Sequence, residues 1–386
     1  MKADYRNYLL ELGMTEAEIK AWLDDTFNTM FYGDEEHRIY HPVGDDMGYM
    51  EDTGNVDART EGMSYGMMMC VQLDKKEEFD RLWKWYFTYM YMEEGRQAGY
   101  FAWSCAPSGK KNADGPAPDG EEFFAMALFF ASHRWGDAEG IYEYSKWAKT
   151  ILRDCLHRNQ SGDKSSPTMW DLDNKYIKFV PDCTFTDASY HLPHFYELFG
   201  LWADEGDREF WKEAANASRH YLHISTHPET GLCTDYAEYD GTPVAKFPWS
   251  KWDSHADRFY SDSYRTAANI GLDSEWYHVD PWQAEHNAKL IKFFAHHPWA
   301  MDYAPKMDGT FTSEEVMHPT AIIATLAQAA IAVLNSENAT CEDITRAKDC
   351  IVSFMNTPLR EGKRRYYDNC LYLFALLSLS GNYRIY

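Results

Sequence analysis

Several features that mark common protein classes are absent from this chain. It contains no Walker-type phosphate loop, no GxGxxG fingerprint and no HExxH motif, so NTPases, dinucleotide enzymes and zinc peptidases are not indicated. No run approaches 18 uninterrupted apolar residues, which argues against a membrane span. The first residues, MKADYRNYLLELG, lack the pattern of a secretory signal, and we expect a cytoplasmic protein.

Paired cysteines and basic residues are also scarce. The eight cysteines are scattered without CxxC spacing, which predicts free thiols in a reducing compartment. The 37 Lys and Arg residues are outnumbered by 61 Asp and Glu residues, which gives a formal net charge of -24. Such a surface repels phosphate backbones and anionic lipid, so we expect neither nucleic-acid nor membrane binding and favour a neutral substrate.

Aromatic residues, in contrast, are abundant. They make up 16% of the chain, with 14 Trp and 27 Tyr. Their flat apolar faces and polar groups suit stacking on sugar rings, although a large core uses the same residues. For a single Trp the core is the commoner explanation, but the whole set indicates a carbohydrate site.

Helix signals run along the whole sequence. Thr15 and Glu18 form a capping-box pattern before apolar residues at helical spacing, and a second helix is predicted after Glu61. Ten further predicted helices cover Glu77–Met92, Glu121–Trp135, Gly140–Arg158, Ala188–Asp204, Arg208–Ile224, Ser261–Leu272, Asp280–Phe294, Pro319–Leu334, Cys341–Asn356 and Asn369–Ser378. Short strands are predicted at Lys175–Val180 and Arg364–Tyr367.

The predicted helices follow one another without a composition break or low-complexity linker. This predicts one domain over residues 1–386, made of paired helices that could close into a double-ringed barrel. Long loops rich in Gly, Pro, Asp and aromatics cover Ser104–Pro118, Asn159–Thr186 and Pro228–Ser261. Long loops in a compact domain usually carry function, so we expect the site among them.

Glu61 lies between a loop and an apolar helix start, flanked by Gly62 and Gly66. The glycines permit close approach of a ligand or a neighbouring helix. The methionines that follow would desolvate the Glu61 carboxyl, which raises its pKa and keeps a proton available for a leaving group. A helix N-terminus acts in the opposite direction. A helix-capping acid and a catalytic acid are both consistent with this segment.

Two further segments place acids at helix starts. Asp119 occupies a predicted N-cap ahead of Glu121 and Glu122, and these acids either cap an apolar helix or face a pocket. Asp262 also begins a predicted helix, with Arg265 one turn later. Pairing with arginine lowers a carboxylate pKa, as a general base requires, although a capping Asp with a surface ion pair has the same spacing.

Acids from three helix starts could converge at one end of a helical barrel. One protonated carboxyl and one ionised carboxylate across a sugar ring make a glycosidase site. The histidines His191, His194, His296 and His297 are candidate metal ligands. No metal-binding motif accompanies them, so ordinary polar or core histidines are favoured.

The same segments resemble glycoside hydrolase family 8. The resemblance lies in TEGMSYGMM around Glu61, DGEEF from Asp119, DASYHLPHFY from Asp187 and DSYR from Asp262, in the family's order. The element around Glu61 is the specific one, and Ala188 stands where the family usually has proline. The resemblance implies an all-α fold, an (α/α)6 barrel whose long loops form the substrate cleft.

The resemblance also implies an inverting hydrolase of β-1,4-linked sugars, with no metal and no organic cofactor. Glu61 would protonate the glycosidic oxygen and Asp262 would deprotonate the attacking water. Asp119 would hold the distorted sugar in the central subsite. Tyr196 would help to place the water, and Arg265 would keep Asp262 ionised. Inversion requires about 6.5–9.5 Å between the acid and base carboxyls.

Two more side chains are expected to bind substrate. Trp103 would be a stacking platform beside Glu61 and Asp119, and Arg59 would bond the sugar or Glu61. The substrate itself, a xylooligosaccharide, is the only partner implied, and we expect a monomer or weak homo-oligomer.

Within the family, FYSDSYRTAANIGLD and the loop Glu315–Pro319 resemble a branch that releases xylose from the reducing end of β-1,4-xylooligosaccharides. That loop would wall off the cleft beyond the released sugar, and His318 would hydrogen-bond the reducing-end hydroxyl. A helix-entry residue before Pro319 is the alternative for His318. The missing secretion signal suits this branch, because short oligosaccharides can be imported and xylan cannot.

Three alternatives stay open. An endo-acting xylanase, glucanase or chitosanase of the same family would have an open cleft. Another α/α-barrel enzyme, such as a polysaccharide lyase or sugar epimerase, would use a Tyr or His base and leave Glu61 and Asp262 dispensable. A non-hydrolytic sugar-binding protein would keep its affinity in Glu61→Gln and would have no turnover to lose.

Overall fold

Helices dominate the structure, a computed structural model that describes residues 4–158, 165–244 and 255–386. Within these ranges a short helix, α1 (Tyr8–Glu11), precedes twelve longer ones. Six of these have one buried and one solvent-facing side: α2 (Glu16–Tyr32), α4 (Lys76–Tyr89), α6 (Tyr144–Leu156), α8 (Arg208–Ile224), α10 (Trp282–His296) and α12 (Cys341–Met355). The other six are mostly buried: α3 (Thr60–Gln72), α5 (Pro118–Trp135), α7 (Pro193–Trp202), α9 (Tyr264–Trp276), α11 (Pro319–Leu334) and α13 (Arg365–Leu379).

The mostly buried helices form a closed inner ring. Helix α3 packs against α5, α5 against α7, α7 against α9, α9 against α11, α11 against α13, and α13 against α3. The outer helices cover this ring: α2 packs on α13, α4 on α3, α6 on α5, α8 on α7, α10 on α9 and α11, and α12 on α11. The described residues therefore form the (α/α)6 barrel that the sequence predicts.

The sequence explains which helices lie inside. Helix α11 reads PTAIIATLAQAAIAVL and has no charged residue, so only a buried position satisfies all its faces. Helix α2 begins with the predicted capping box, in which Thr15 and Glu18 each bond the other's backbone N–H. Pro118, Pro193 and Pro319 occupy the first position of α5, α7 and α11, where a missing N–H costs nothing.

Short antiparallel ladders fix the loops between helices. In the described ranges they pair β1 (Tyr40–Val43) with β2 (Met47–Met50), β3 (Ala58–Arg59) with β4 (Ser104–Cys105), β5 (Phe185–Thr186) with β6 (Ala237–Glu238), and β7 (Tyr303–Pro305) with β8 (Phe311–Glu315). The β3–β4 ladder ties the start of α3 to the Trp103 loop. The β5–β6 ladder ties the segment before Asp187 to the segment after Tyr236.

Both predicted strands are wrong. In Lys175–Val180, Ile177 makes only an isolated bridge to Trp170. Arg364–Tyr367 enters α13 instead, because helical geometry turns the Tyr366 and Tyr367 rings into the barrel, where both are buried. The predicted loops Asn159–Thr186 and Pro228–Ser261 lie partly outside the described residues.

The predicted helix Ala188–Asp204 is divided. Residues Ala188–Tyr190 form one 3₁₀ turn, and α7 starts only at Pro193. Proline has no N–H to donate and excludes a continuous helix through this point.

All eight cysteines lie in the described ranges and are free thiols, as predicted. No helix in those ranges is long and apolar enough to cross a bilayer.

Candidate active site

The three acids singled out in the sequence meet at one mouth of the barrel. Glu61 is the second residue of α3, Asp119 is the second residue of α5, and Asp262 lies two residues before α9. Inner helices therefore direct their N-terminal ends to this mouth. Their unpaired backbone N–H groups create a positive potential that favours carboxylates.

Arg265, the second residue of α9, contacts all three acids. Its Nη1 donates to Glu61 Oε2 over 2.9 Å and to Asp119 Oδ2 over 3.2 Å. Its Nη2 lies 3.0 Å from Asp262 Oδ1. The arginine side chain is only 5% exposed, so water screens these contacts weakly. A single buried cation thus faces three carboxylates.

The two arginine contacts limit the distance between Glu61 and Asp262. Because they end on one planar guanidinium, at 2.9 and 3.0 Å, the nearest carboxyl oxygens are at most about 8 Å apart. A retaining hydrolase uses a gap of about 5–5.5 Å, whereas an inverting one uses about 6.5–9.5 Å. Both carboxyls can therefore act on the same glycosidic bond.

Glu61 is held near its midpoint of protonation at neutral pH. Burial raises its pKa to about 7, with Asp119 and Asp262 adding repulsion, while Arg265 opposes the rise. The Tyr366 hydroxyl donates to Glu61 Oε1 over 2.8 Å and also lowers the pKa. The carboxyl therefore keeps a proton that an ordinary glutamate loses, and it can release that proton to a leaving group.

Two glycines allow the close packing around these acids. A Cβ added at Gly62 would lie 2.5 Å from the Tyr366 hydroxyl oxygen. A Cβ at Gly120 would lie 2.5 Å from the Thr60 Cβ, where α3 and α5 touch beside Glu61. The glycine at 62 thus admits a neighbouring helix, as predicted, and brings the Tyr366 hydroxyl to the Glu61 carboxyl.

Burial also shifts the pKa values of two other carboxyls at this mouth, those of Asp119 and Asp187. Burial raises the pKa of Asp119 to about 6, and repulsion from Asp262 adds to the rise. Asp187 is fully buried 3.8 Å from Arg265 Nη2, and burial raises the pKa of this carboxyl well above its usual range. The mouth therefore holds more carboxyls than one arginine can neutralise, which favours the protonated form of some of them.

The acids lie between two chambers of one cleft. Both chambers are bordered by Arg59, Glu61 and Asp262. The larger chamber has a volume of about 390 Å³ and is also lined by Thr60, Trp103, Pro116, Ala117, Asp119, Phe179, Val180, Tyr190, Tyr236 and Arg265. The smaller has a volume of about 140 Å³ and is also lined by Asp52, Asn55, Ser261, Met317, His318, Arg364, Tyr366 and Tyr367. The apolar, aromatic lining of the larger chamber suits a sugar chain.

Comparison with known proteins identifies the family. The family described as Glycosyl hydrolases family 8 matches residues 45–381 of this chain. The chain belongs to glycoside hydrolase family 8. It is 54% identical over 385 residues to the reducing end xylose-releasing exo-oligoxylanase of Halalkalibacterium halodurans, covering 99% of this chain and 95% of that protein.

Other family 8 proteins are similar over their whole length. The reducing end xylose-releasing exo-oligoxylanase of Bifidobacterium adolescentis is 47% identical over 374 residues, with coverage of 97% of this chain and 95% of that protein. The solved structure of Rex8A from Paenibacillus barcinonensis complexed with xylose superposes with a TM-score of 0.93 at 52% identity, covering 99% and 98% of the chains.

Trp103 and Arg59 lie together on the cleft wall. The Trp103 ring is 39% exposed, and the Arg59 guanidinium carbon lies 5.3 Å from a ring centroid. Arg59 Nε lies 3.1 Å from both Asp52 and Asp57. The position of Trp103 permits stacking on a sugar in this family 8 cleft. Arg59 borders both chambers, and its ion pairs are with these aspartates.

Tyr196 does not reach the cleft. Its side chain is wholly buried, and its hydroxyl oxygen lies 2.9 Å from Glu122 Oε2 and 3.0 Å from the Tyr190 carbonyl oxygen. The expectation that Tyr196 contacts the attacking water is therefore at odds with its position. Tyr190, from the same sequence segment, lines the larger chamber instead. Its ring centroid lies 5.6 Å from the Arg265 guanidinium carbon.

His318 lines the smaller chamber. It occupies the N-cap position of α11 but makes no capping hydrogen bond. Its Nδ1 lies 2.7 Å from Asp368 Oδ2, which also accepts a hydrogen bond from Arg360 over 2.6 Å. A carboxylate paired with arginine only accepts, so Nδ1 donates to Asp368, and in a neutral imidazole this leaves Nε2 as an acceptor. His318 is thus a chamber residue held by a second element.

The N-cap prediction for Asp119 is wrong. Ala117 occupies the N-cap of α5, and Asp119 Oδ1 instead accepts from the adjacent Gly120 N–H over 2.9 Å. Asp262 likewise precedes its helix, whose N-cap position is Ser263. Neither acid therefore caps a helix.

Glu121 and Glu122 lie in the barrel core rather than in the cleft. Glu121 Oε1 accepts from the Phe101 N–H over 3.2 Å, and Glu122 Oε2 accepts from the Tyr196 hydroxyl. Burial raises the pKa of both carboxyls well above the usual range. Burial therefore favours the protonated form of both groups, which lie in the core.

Residues 62–66 match the GxSxG pattern of serine hydrolases without forming its site. Ser64 lies inside α3, wholly buried, and its hydroxyl donates to the Glu61 carbonyl oxygen over 2.8 Å. A nucleophilic serine needs an exposed strand-to-helix turn, and Ser64 does not lie in one.

His191 and His194, two of the candidate metal ligands, are core residues, and burial lowers the pKa of each to about 3. Within the described ranges, no group of three or more His, Cys, Asp or Glu side chains is placed so that it could hold a metal ion.

Sequence reasoning missed four cleft tyrosines. Tyr190 lies in the same DASYHLPHFY motif as Tyr196, and that motif was the signal that could have indicated it. Tyr366 and Tyr367 follow a basic run near the C-terminus and were assigned to a strand. Tyr236 lies in a loop with no distinctive pattern. All four reach the site only through long-range folding.

Proposed function

We propose that this chain is an inverting glycoside hydrolase that releases xylose from the reducing end of β-1,4-xylooligosaccharides. Glu61 is the general acid, Asp262 is the general base, and Asp119 holds the central sugar. The observation that carries the proposal is the shared arginine: Arg265 binds Glu61 through Nη1 and Asp262 through Nη2, and both of these carboxyls border the two chambers. The relatives at 47–54% identity carry the name of this activity.

The acid step follows from the protonation of Glu61. A carboxyl with a pKa of about 7 holds a proton at neutral pH in a substantial fraction of molecules. The proton passes from Glu61 to the glycosidic oxygen as the bond between that oxygen and the anomeric carbon breaks. The departing sugar lies in the smaller chamber, beyond Glu61.

The base step uses Asp262 from the other side of the anomeric carbon. A water oxygen bonds to that carbon while one water proton passes to Asp262, so the anomeric configuration inverts. Tyr190 and Tyr236 line the larger chamber together with Asp262, and the Tyr236 hydroxyl donates to Asp262 Oδ2 over 2.8 Å. Tyr190 takes over the water-placing role that the sequence assigned to Tyr196.

The smaller chamber supports action at a chain end. At about 140 Å³ it suits one departing xylose, whereas the larger chamber of about 390 Å³ suits the rest of the oligosaccharide. Met317 and His318 line the smaller chamber. His318 Nε2 accepts a hydrogen bond from the reducing-end hydroxyl, and Trp103 and Arg59 bind the non-reducing part.

Product analysis tests this proposal. Purified protein with xylotetraose should give xylose and xylotriose first, and then xylose and xylobiose. Early NMR spectra should show the α anomer on the newly formed reducing end. Glu61→Gln and Asp262→Asn should each lower kcat by about 10²–10⁴-fold, while Glu285→Gln on the exposed side of α10 should not. Early xylobiose from xylotetraose would instead indicate endo action.

The remaining expectations are proposed with the activity. Residues 1–386 form one catalytic domain that acts as a monomer or weak homo-oligomer. Cytoplasmic action fits a substrate small enough to be imported. Size-exclusion chromatography and fractionation of cells test these two points separately.

A further inference from the structure

A buried aspartate organises the turn that carries Asp262. Asp235 is 3% exposed, and its Oδ1 accepts from the N–H groups of Ser261 over 3.1 Å and of Ser263 over 3.0 Å. The same oxygen accepts from the Ser263 hydroxyl over 2.7 Å. The two serines flank Asp262 on either side. A side chain from a distant segment therefore satisfies the N–H groups around this residue.

Tyr236, the residue after Asp235, binds the carboxylate of Asp262. The Tyr236 hydroxyl donates to Asp262 Oδ2 over 2.8 Å. The other oxygen, Oδ1, faces Arg265 Nη2 at 3.0 Å. Each oxygen of the Asp262 carboxylate therefore has its own donor, and the donors come from two different elements.

Asp262 needs this support because no regular element contains it. It precedes α9, and its side chain is 21% exposed, compared with 7% for Asp119. Several acids surround it: Glu61, Asp119, Asp187 and Asp235 all repel its charge. A carboxylate on a turn, repelled from several sides, has no fixed orientation without donors.

The β5–β6 ladder fixes the segment that supplies these groups. Tyr236 directly precedes β6, which pairs with β5 at Phe185–Thr186. The Tyr236 ring also packs against Phe179, with centroids 4.5 Å apart. The pair at positions 235 and 236 thus rests on an ordered ladder and an aromatic contact.

We propose that Asp235 and Tyr236 are positioning residues for the general base: Asp235 fixes the backbone turn, and Tyr236 fixes the orientation of the Asp262 carboxylate toward the attacking water. The inference rests on the proposed role of Asp262. Asp235 acts only through the turn. Tyr236 acts through Asp262 and forms part of the cleft wall.

Tyr236→Phe is the first test, because it keeps the ring and removes only the hydroxyl. We expect kcat on xylotriose to fall about ten- to hundredfold, as small misplacements of reacting groups do, with KM changed less than twofold. Hydrolysis of β-xylobiosyl fluoride should fall by the same factor. Fluoride departs without general-acid help, so this substrate reports the water-activating side alone.

The second test compares two replacements of Asp235. All three contacts described above use Oδ1, which asparagine retains as an acceptor. Asp235→Asn should therefore keep most of the activity, whereas Asp235→Ala should lose at least tenfold in kcat on both substrates. The melting temperature of each variant separates this loss from unfolding. Equal losses in the Asn and Ala variants would overturn the turn-fixing role of Asp235.

Two reference variants make the outcomes distinct. Tyr372→Phe removes a buried hydroxyl that donates to the Thr357 carbonyl oxygen in the outer part of the barrel, and it should leave kcat unchanged. Asp262→Asn should lower kcat on both substrates by about 10²–10⁴-fold. If Asp262→Asn shows this loss but Tyr236→Phe has wild-type kcat, the positioning inference fails alone. If Asp262→Asn keeps wild-type activity on the fluoride, the proposed base is wrong.

Discussion

The guanidinium of Arg265 donates to Glu61 across 2.9 Å, although 204 residues separate them in the chain. The sequence suggested that Arg265 serves only Asp262, one helical turn away. In the structure the same side chain links the proposed acid to the proposed base. Arginine is suited to this role because its planar fork presents several donors in fixed directions.

Arg265→Lys should lower kcat/KM by at least about a hundredfold. An ammonium group is a single point charge and cannot reach Glu61, Asp119 and Asp262 with the geometry of a guanidinium. Steady-state kinetics on xylotriose measure the effect. Arg346→Lys, on the outer helix α12 where Arg346 pairs with Glu342, is the matched control. Activity within twofold of wild type would contradict the bridging role.

Tyr366→Phe should move the alkaline limb of the pH profile of kcat/KM to higher pH. The Tyr366 hydroxyl favours the ionised form of Glu61, and its loss raises the pKa of that carboxyl above its value of about 7. Glu61 must be protonated to act, so a higher pKa extends activity into the alkaline range. An unchanged or lower alkaline limb would show that Glu61 is not the acid under observation.

Gly62→Ala should impair both stability and catalysis. The new Cβ would lie 2.5 Å from the Tyr366 hydroxyl oxygen, so α13 and α3 must move apart. Overpacking of this kind costs about 1–3 kcal/mol of unfolding free energy. Gly206→Ala is the control, because no atom lies within 4 Å of its added Cβ. Denaturant unfolding of both variants should separate them, and equal stabilities would refute the packing argument.

Glu121→Gln should stabilise the protein increasingly as pH rises from 5 to 8. Burial raises the pKa of Glu121 well above its usual range, so the folded chain keeps a proton that the unfolded chain releases. Such a carboxyl lowers the unfolding free energy of the protein as pH rises above the unfolded-state pKa, by at most about 1.4 kcal/mol per pH unit. Glutamine removes this dependence and keeps the acceptor for Phe101 N–H. The melting temperatures of variant and wild type should diverge with pH, and parallel curves would contradict this assignment.

The acids of the proposed site could be predicted from the sequence because each stands in a short local pattern. Glu61, Asp119 and Asp262 all precede apolar helical runs, and the order of their motifs matched one family. The contacts that tune them are not local. Tyr366 reaches Glu61 from the last helix, and Asp235 reaches the Asp262 turn from 26 to 28 positions earlier in the chain. No periodicity indicates such pairs.

The predictions that failed did so for identifiable reasons. Tyr190 and Tyr196 lie in one motif, but Tyr196 lies on α7 with a wholly buried side chain, whereas Tyr190 lies in the preceding 3₁₀ turn and lines the larger chamber. The segment Arg364–Tyr367 has a strand-like composition, but burial of its two tyrosines inside the barrel favours the helix. Tertiary packing overrides local propensity at both places.

The most direct measurement compares xylotriose with the same trimer reduced to its alditol, with products followed by chromatography. Cleavage of xylotriose to xylose and xylobiose, with no cleavage of the alditol, is the expected result. It would establish action at the reducing end and the need for the anomeric hydroxyl that His318 binds. Equal cleavage of both would contradict the end-specific cleft while leaving a hydrolase, and cleavage of neither would contradict the proposed substrate.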